Sequence, residues 1–155
     1  MPIFKPDEFL LNILPKKRVL GIDPGTKTLG IAVSNSDLTV ASPIFTIQRK
    51  KLKSDLNQLL EVLKKYDITG IIIGWPLNMD GSIGPRCDSV RDFVKSLLEV
   101  IDIPILLQDE RMSTMAIEKP MIKADLTRKK RNSRTDQLAA CWILQTAIDG
   151  LPKSM

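Results

Sequence analysis

Residues 18–33 read RVLGIDPGTKTLGIAV, two short apolar runs joined by a turn that contains Asp23, Pro24 and Gly25. Apolar runs separated by proline and glycine are typical of a β-hairpin. Asp23 is the exceptional residue, because a carboxylate at the end of an apolar strand is costly to bury unless it is paired or bound to a metal. On this stretch alone, capping of the turn is the simpler role for Asp23.

The segments after the hairpin change from strand to helical spacing. Residues 38–47 are rich in β-forming residues and contain Pro43, which suits an edge strand. Leucines then recur at helical spacing over residues 52–63, and apolar runs at 71–73 and 103–107 alternate with helical segments near 86–100 and from 133. The pattern predicts an α/β fold, in which an antiparallel three-stranded meander and parallel strands form a mixed five-stranded sheet with helices on both faces.

Length and composition indicate a globular domain. We expect a domain over residues 18–150, an N-terminal extension over 1–17 and a C-terminal tail over 151–155. The net charge of +5 and the pI of about 9.3 favour an anionic partner, nucleic acid first. No apolar run reaches membrane-spanning length and the two cysteines are isolated, so we expect a cytoplasmic protein without a membrane partner.

The chain contains no histidine, which excludes histidine-based triads and histidine-ligated metals. Carboxylates, lysines or a hard metal ion must therefore carry any chemistry. Glu110 directly follows a predicted buried strand, at the edge where open α/β sheets bind ligands, although a salt bridge with Arg111 explains it as well. Asp136 stands three residues after Ser133, a spacing that also resembles a helix capping box.

Two further groups of residues are candidates for substrate contact. Asn78 and Asp80 lie in a loop of turn residues, which tight loops also use for their own geometry. A basic run comes shortly before Asp136. Such a run is usually a solvated face, but beside a candidate acidic site it favours contact with phosphates. Its members are Arg128, Lys129, Lys130, Arg131 and Arg134.

Four motifs together resemble the YqgF/RuvX family, in order and at sensible spacing. They read GIDPGTKTLGIAVS from 21, GWPLNMDGSIGP from 74, DERMST from 109, and TRKKR from 127 followed by DQLAA from 136. The resemblance covers about residues 18–149. Members of this family are named as Holliday junction resolvases and pre-16S rRNA nucleases, and their fold is RNase H-like.

The resemblance implies that Asp23, Glu110 and Asp136 form the catalytic carboxylate set and hold Mg²⁺, with Mn²⁺ as the alternative ion. The implied activity is that of a metal-dependent nuclease on structured nucleic acid, either precursor 16S rRNA at its 5′ end or branched DNA. Lys27, Arg111 and the basic run would hold phosphates. Such an enzyme works as a monomer or a homodimer, and the sequence does not decide which.

Three features depart from the family pattern: the N-terminal extension, Pro120 in a helical segment after Glu110, and Gln108 where an aromatic residue is common. None removes a catalytic carboxylate. Two other functions stay open. A non-cleaving nucleic-acid-binding factor of the same fold, acting in transcription or ribosome biogenesis, would carry the same residues. A nucleotide-binding enzyme related to actin and sugar kinases would need a second domain, for which 155 residues leave no room.

Overall fold

A computed structural model describes residues 3–78, 80–110 and 128–151, and for residues 128–136 it describes the backbone only. The elements in these ranges are β1 (Ile3–Phe4), α1 (Pro6–Asn12), β2 (Arg18–Pro24), β3 (Thr28–Ser34), β4 (Ala41–Gln48), α2 (Leu52–Lys65), β5 (Ile68–Trp75), α3 (Pro85–Leu98), β6 (Ile105–Asp109) and α4 (Arg128–Gly150).

The strands form one mixed sheet in the order β1-β6-β5-β2-β3-β4. Strands β2, β3 and β4 are antiparallel neighbours, whereas β2, β5, β6 and β1 pair in parallel. The predicted meander followed by parallel strands is therefore confirmed. The structure adds a sixth strand, β1, whose two residues are too few to show a periodic pattern in the sequence.

The sheet separates two layers of core. On one face α2 and α3 pack over Ile71 and Ile73 of β5, and on the other face α1 and α4 pack over Ile72. All three isoleucines are at most 1% exposed, as a strand covered on both faces requires. The prediction of helices on both faces is confirmed.

Residues before the hairpin pack on the domain. Phe9 of α1 is fully buried, and a Cβ at Gly70 of β5 would lie 2.6 Å from Phe9 Cζ and 2.7 Å from Ile13 Cγ2. The backbone N–H of Leu14 donates to Thr69 Oγ1 at 2.7 Å. This segment thus covers the end of β5 that is remote from the candidate site.

The third strand begins later than its sequence pattern predicts. Residues 38–40 belong to a turn, in which Leu38 has a φ of 56° and Asn35 Oδ1 accepts the N–H groups of Thr39 and Val40 at 2.9 and 3.0 Å. An asparagine that bonds to the following backbone competes with strand pairing. The prediction that Pro43 lies in an edge strand is confirmed, because β4 ends the sheet.

The last helix already includes Arg128, the first residue described after position 110, although the sequence predicted a start five residues later. Arginine and lysine have good helix propensity, so the basic run continues the helix instead of preceding it. Ser133 therefore lies inside α4, and the interpretation of Ser133 and Asp136 as a capping box at a helix start is wrong. The predicted helical segment with Pro120 lies outside the described residues. No helix in the part of the chain described is long and apolar enough to cross a membrane.

Candidate active site

Asp23 occupies the carboxyl end of β2, the central strand that joins the meander to the parallel half of the sheet. It lies opposite Gly30 of β3 and is partly buried. Pro24 ends the strand, and the N–H of Gly25 donates to the carbonyl of Asp23 at 3.0 Å. The hairpin turn therefore fixes the backbone of Asp23 at the sheet edge where parallel α/β folds bind their ligands.

Glu110 directly follows β6 at the same edge. Its N–H donates to the carbonyl of Trp75 at 3.2 Å, which extends the pairing of β5 with β6 by one bond. Gly74 of β5 pairs with Gln108, and a Cβ at Gly74 would lie 2.5 Å from Glu110 Oε2 and 2.7 Å from Ile143 Cδ1 of α4. The space beside Gly74 is thus the space that the Glu110 carboxyl occupies.

The carboxyls of Asp23 and Glu110 meet at the end of β5, the strand that lies between β2 and β6. The pKa of Glu110 is raised from its ordinary value of 4.5 to about 8, first by burial and then by the negative charge of Asp23 and a hydrogen bond with it. The positive charge of Arg86 opposes this by lowering the pKa of Glu110. At neutral pH Glu110 therefore keeps its proton and shares it with Asp23.

Two arginines that sequence reasoning missed hold the turn after Asp23. Arg86 Nη2 donates to the carbonyl of Pro24 at 3.0 Å, and Arg49 Nη1 donates to the carbonyl of Gly25 at 2.6 Å. Arg49 follows the edge strand and Arg86 lies in the first turn of α3. Only the tertiary structure brings these positions together, and their local sequence does not distinguish them from surface arginines.

The remaining predicted phosphate-binding residues are placed only in part. Lys27 is exposed in the β2–β3 turn, where its carbonyl accepts the N–H of Arg49 at 2.9 Å. Arg111 lies outside the described residues. The basic run and Asp136 lie in the first half of α4, and their side chains are outside the described part of the chain.

The loop between β5 and α3 uses its polar residues for its own structure. Asn78 Nδ2 donates to Ser82 Oγ at 3.0 Å, and the N–H of Ser82 donates to Asp80 Oδ1 at 2.9 Å. A Cβ at Gly84 would lie 2.8 Å from Asn78 Oδ1, so the amide packs on the loop backbone. Contact of Asn78 and Asp80 with a substrate stays a prediction.

Asp23 and Glu110 bring two carboxyls to this edge of the sheet. Within the ranges that the structure describes, no group of three or more histidine, cysteine, aspartate or glutamate side chains could hold a metal ion. Asp23 and Glu110 alone supply a pair of hard oxygen donors that share a proton. A divalent cation can replace that proton, since it relieves the same repulsion between two carboxylates.

Comparisons with known proteins agree on one family. The model of the family described as RuvX: Holliday junction resolvase matches residues 17–150. A protein of Rhizobium meliloti named "Putative pre-16S rRNA nuclease" is 46% identical over 151 residues, which is 97% of this chain and 92% of that protein. A protein of the same name from Paramagnetospirillum magneticum is 43% identical and covers 96% of each chain.

Two solved structures have a similar fold. RuvC of Thermus thermophilus in complex with a Holliday junction substrate has a TM-score of 0.55 and 18% identity, and covers 86% of this chain and 94% of its own. The Fowlpox virus resolvase in complex with Holliday junction DNA has a TM-score of 0.50 and 15% identity, and covers 88% of this chain and 99% of its own. These likenesses show the RNase H-like fold that the sequence motifs imply.

Proposed function

The chain belongs to the RuvX family described as Holliday junction resolvase, and from that premise we propose that it is a Mg²⁺-dependent nuclease that cleaves phosphodiester bonds in structured nucleic acid. The observation that carries the proposal is the carboxyl pair of Asp23 and Glu110 at the carboxyl edge of the sheet. Two carboxyls held close together in a chain without histidine fit a hard cation.

The donor set favours Mg²⁺, with Mn²⁺ as the alternative. Both ions prefer carboxylate oxygens, and the chain supplies no imidazole that would favour a softer metal. Asp23 and Glu110 would hold the ion. When bound, such an ion activates water and stabilises the negative charge that develops on the phosphodiester.

Asp136 is the proposed third carboxylate. Positions 136, 140 and 143 follow the i, i+4, i+7 spacing of one helix face. Ala140 and Ile143 lie on the face of α4 that packs on the sheet, against Gly21 and Gly74. The spacing therefore predicts that the Asp136 position faces the sheet one turn closer to the carboxyl pair than Ala140.

The protein's own groups prepare the site for the cation. Glu110 holds a proton in the metal-free state and must lose it to become a ligand. The charge of Arg86 favours that loss, because it lowers the pKa of Glu110. Lys27, Arg111 and the basic run are proposed to hold the phosphate backbone of the substrate.

Precursor 16S rRNA is the first substrate that we propose. The two relatives described above, both named as pre-16S rRNA nucleases, share 43 and 46% identity with this chain, and the match covers at least 92% of their length. Junction DNA is the second candidate, favoured by the description of the family. The solved resolvases are at most 18% identical and bear on the fold alone.

A side-by-side cleavage assay tests the proposal. End-labelled precursor 16S rRNA leader and a four-way DNA junction are each incubated with the full chain in Mg²⁺, in Mn²⁺ or in EDTA. We expect cleavage of the rRNA in Mg²⁺ and in Mn²⁺, none in EDTA, and none by Glu110→Gln. A protein that binds both nucleic acids and cuts neither would support the non-cleaving binding factor instead. Paired cuts in the junction would require two active sites and hence a dimer.

A further inference from the structure

A small pocket lies beside the turn that follows Asp23. It is lined by residues 24–26 of the turn, by Arg49 and by Arg86, Ser89, Val90 and Phe93. Arg86 is close enough to Glu110 to lower the pKa of that carboxyl, so the pocket adjoins the carboxyl pair. A nucleic acid strand bound at the carboxyl pair would therefore have this pocket beside it.

The two arginines hold their guanidinium groups in fixed positions. Arg86 donates to the carbonyl of Pro24 at 3.0 Å, and Arg49 donates to the carbonyl of the next residue, Gly25, at 2.6 Å. The guanidinium of Arg49 also lies over the ring of Phe93, 5.5 Å from its centroid. Each of these arginines has five N–H donors, so the bonds to the turn leave donors for a ligand.

The charges in the pocket favour an anion. Arg49 and Arg86 bring two guanidinium groups to one turn, and Arg86 also lies close enough to the Glu110 carboxyl to lower its pKa. Two cations on one turn repel each other, and an anion between them relieves that repulsion. The planar fork of arginine matches the geometry of a phosphate, and the nearby N-terminus of α3 adds partial positive charge.

We propose that Arg49 and Arg86 form a second phosphate-binding site, which takes the backbone phosphate next to the bond that is cleaved. The inference rests on the proposed function, because it takes the ligand to be the nucleic acid substrate. It assigns to these residues a role in holding the substrate in register with Asp23 and Glu110. Lys27 and the basic run would bind other phosphates of the same strand.

Binding measurements in a variant that does not cut test this site. In the full chain with Asp23→Asn, we would add Arg86→Gln, Arg49→Gln or the control Arg18→Gln. Arg18 lies at the opposite end of β2 from Asp23, so its change removes the same charge far from the pocket. The affinities for labelled precursor rRNA leader and for a four-way DNA junction are measured by fluorescence anisotropy in EDTA over a series of KCl concentrations.

We expect each pocket variant to weaken binding about ten-fold at low salt. The slope of log Kd against log salt concentration should fall by about one, while Arg18→Gln changes neither quantity. Arg86→Lys should restore the slope but only part of the affinity, because lysine keeps the charge and loses the fork. A role confined to bracing the turn would leave the slope unchanged.

A folded Arg86→Gln protein that matches Arg18→Gln in slope and affinity overturns the inference. Arg86 is exposed, so its variant decides the question even if Arg49→Gln fails to fold. Cleavage by the wild-type chain separates this result from the proposed function. If the wild type cuts, and the pocket variants bind like the control in the Asp23→Asn chain and cut like it when made in the wild-type chain, the phosphate site alone is wrong. If the wild type binds the nucleic acids but cuts neither of them, the proposed nuclease is wrong. The salt slopes still decide in that case whether the pocket binds phosphate.

Discussion

Gly74 of β5 lies so close to Glu110, the residue after β6, that a side chain at position 74 would displace the Glu110 carboxyl. A Cβ at Gly74 would lie 2.5 Å from Glu110 Oε2, and 2.7 Å from Ile143 Cδ1 on the other side. Real Cβ atoms essentially never approach other atoms closer than 3.0 Å. Gly74 thus determines where the Glu110 carboxyl lies and how closely α4 packs on the sheet.

Gly74→Ala should therefore damage activity more than stability. Because the added methyl group must move the Glu110 carboxyl, we expect the cleavage rate to fall about 100-fold. Overpacking should lower the free energy of unfolding by about 1 to 3 kcal/mol. Single-turnover cleavage and urea unfolding measure the two effects on one preparation.

Gly70→Ala is the matched control for that change. It lies on the same strand, where a Cβ would meet Phe9 Cζ at 2.6 Å, far from the carboxyl pair. We expect a similar loss of stability with cleavage retained. Equal activity of the two variants would contradict the positioning of Glu110 by Gly74.

The stability of the metal-free protein should fall as the pH rises. The pKa of Glu110 is about 8 in the folded protein and is expected near 4.5 in the unfolded chain. The folded state then binds the proton more tightly, so its stabilising contribution is complete below about pH 4.5 and is lost as the pH rises through about 8. We expect a loss on the order of a few kcal/mol over this range, measured as Tm in EDTA at a series of pH values.

Mg²⁺ and Glu110→Gln should each change that pH profile. A bound cation stabilises the ionised carboxyls, so saturating Mg²⁺ should restore Tm most strongly at high pH. Glu110→Gln removes the titrating group and should flatten the profile in EDTA. A wild-type profile in EDTA that is already flat between these pH values would contradict the shared proton.

The basic run of α4 should contribute to the salt dependence of substrate binding. Replacing Lys129 and Lys130 by alanine should lower the slope of log Kd against log salt by about one for each phosphate that the run no longer binds. The matched control replaces Lys64 and Lys65 of α2, another pair of consecutive helical lysines, and both of these are exposed. Equal slopes for the two double variants would show that the run is a solvated face.

The sequence predicted the strands and helices well where a periodic pattern was long. The run 71–73 indicated a strand buried on both faces, and the structure buries all three residues. The boundaries near Leu38 and Ser133 were wrong because local effects decided them, an asparagine turn in one case and the helix propensity of a basic run in the other. A two-residue strand such as β1 carries no pattern at all.

The candidate site could be predicted only as far as its carboxyls. Asp23 and Glu110 were candidates because each lies at the carboxyl end of an apolar strand, but it was the family resemblance that assigned both to one site. Arg49 and Arg86 could not be found in this way, since their importance comes from two carbonyls of a distant turn. The role of Gly74 likewise depends on contacts across two other elements, which no spacing in its own strand reveals.

Asp23→Asn separates the catalytic role of Asp23 from a structural role in the turn. Asparagine keeps the shape and an oxygen that can accept the proton of Glu110, but it deletes a negative charge that raises the pKa of Glu110. The pKa of Glu110 should therefore fall. At pH values above about 8, where both wild-type carboxyls are ionised in EDTA, the variant should melt no lower than the wild type, because the repulsion is gone.

The same variant should lose Mg²⁺-dependent cleavage and still bind nucleic acid, since a neutral amide is a poor ligand for a hard cation. A turn cap would behave in the opposite way, with a lower Tm at every pH and cleavage reduced only as far as folding is. Asp37→Asn, which removes the same charge from an exposed turn, is the control. Melting in EDTA and cleavage in Mg²⁺ must be measured on one preparation, because only their combination separates the two roles. A folded Asp23→Asn protein that cuts at the wild-type rate would end the catalytic assignment of Asp23.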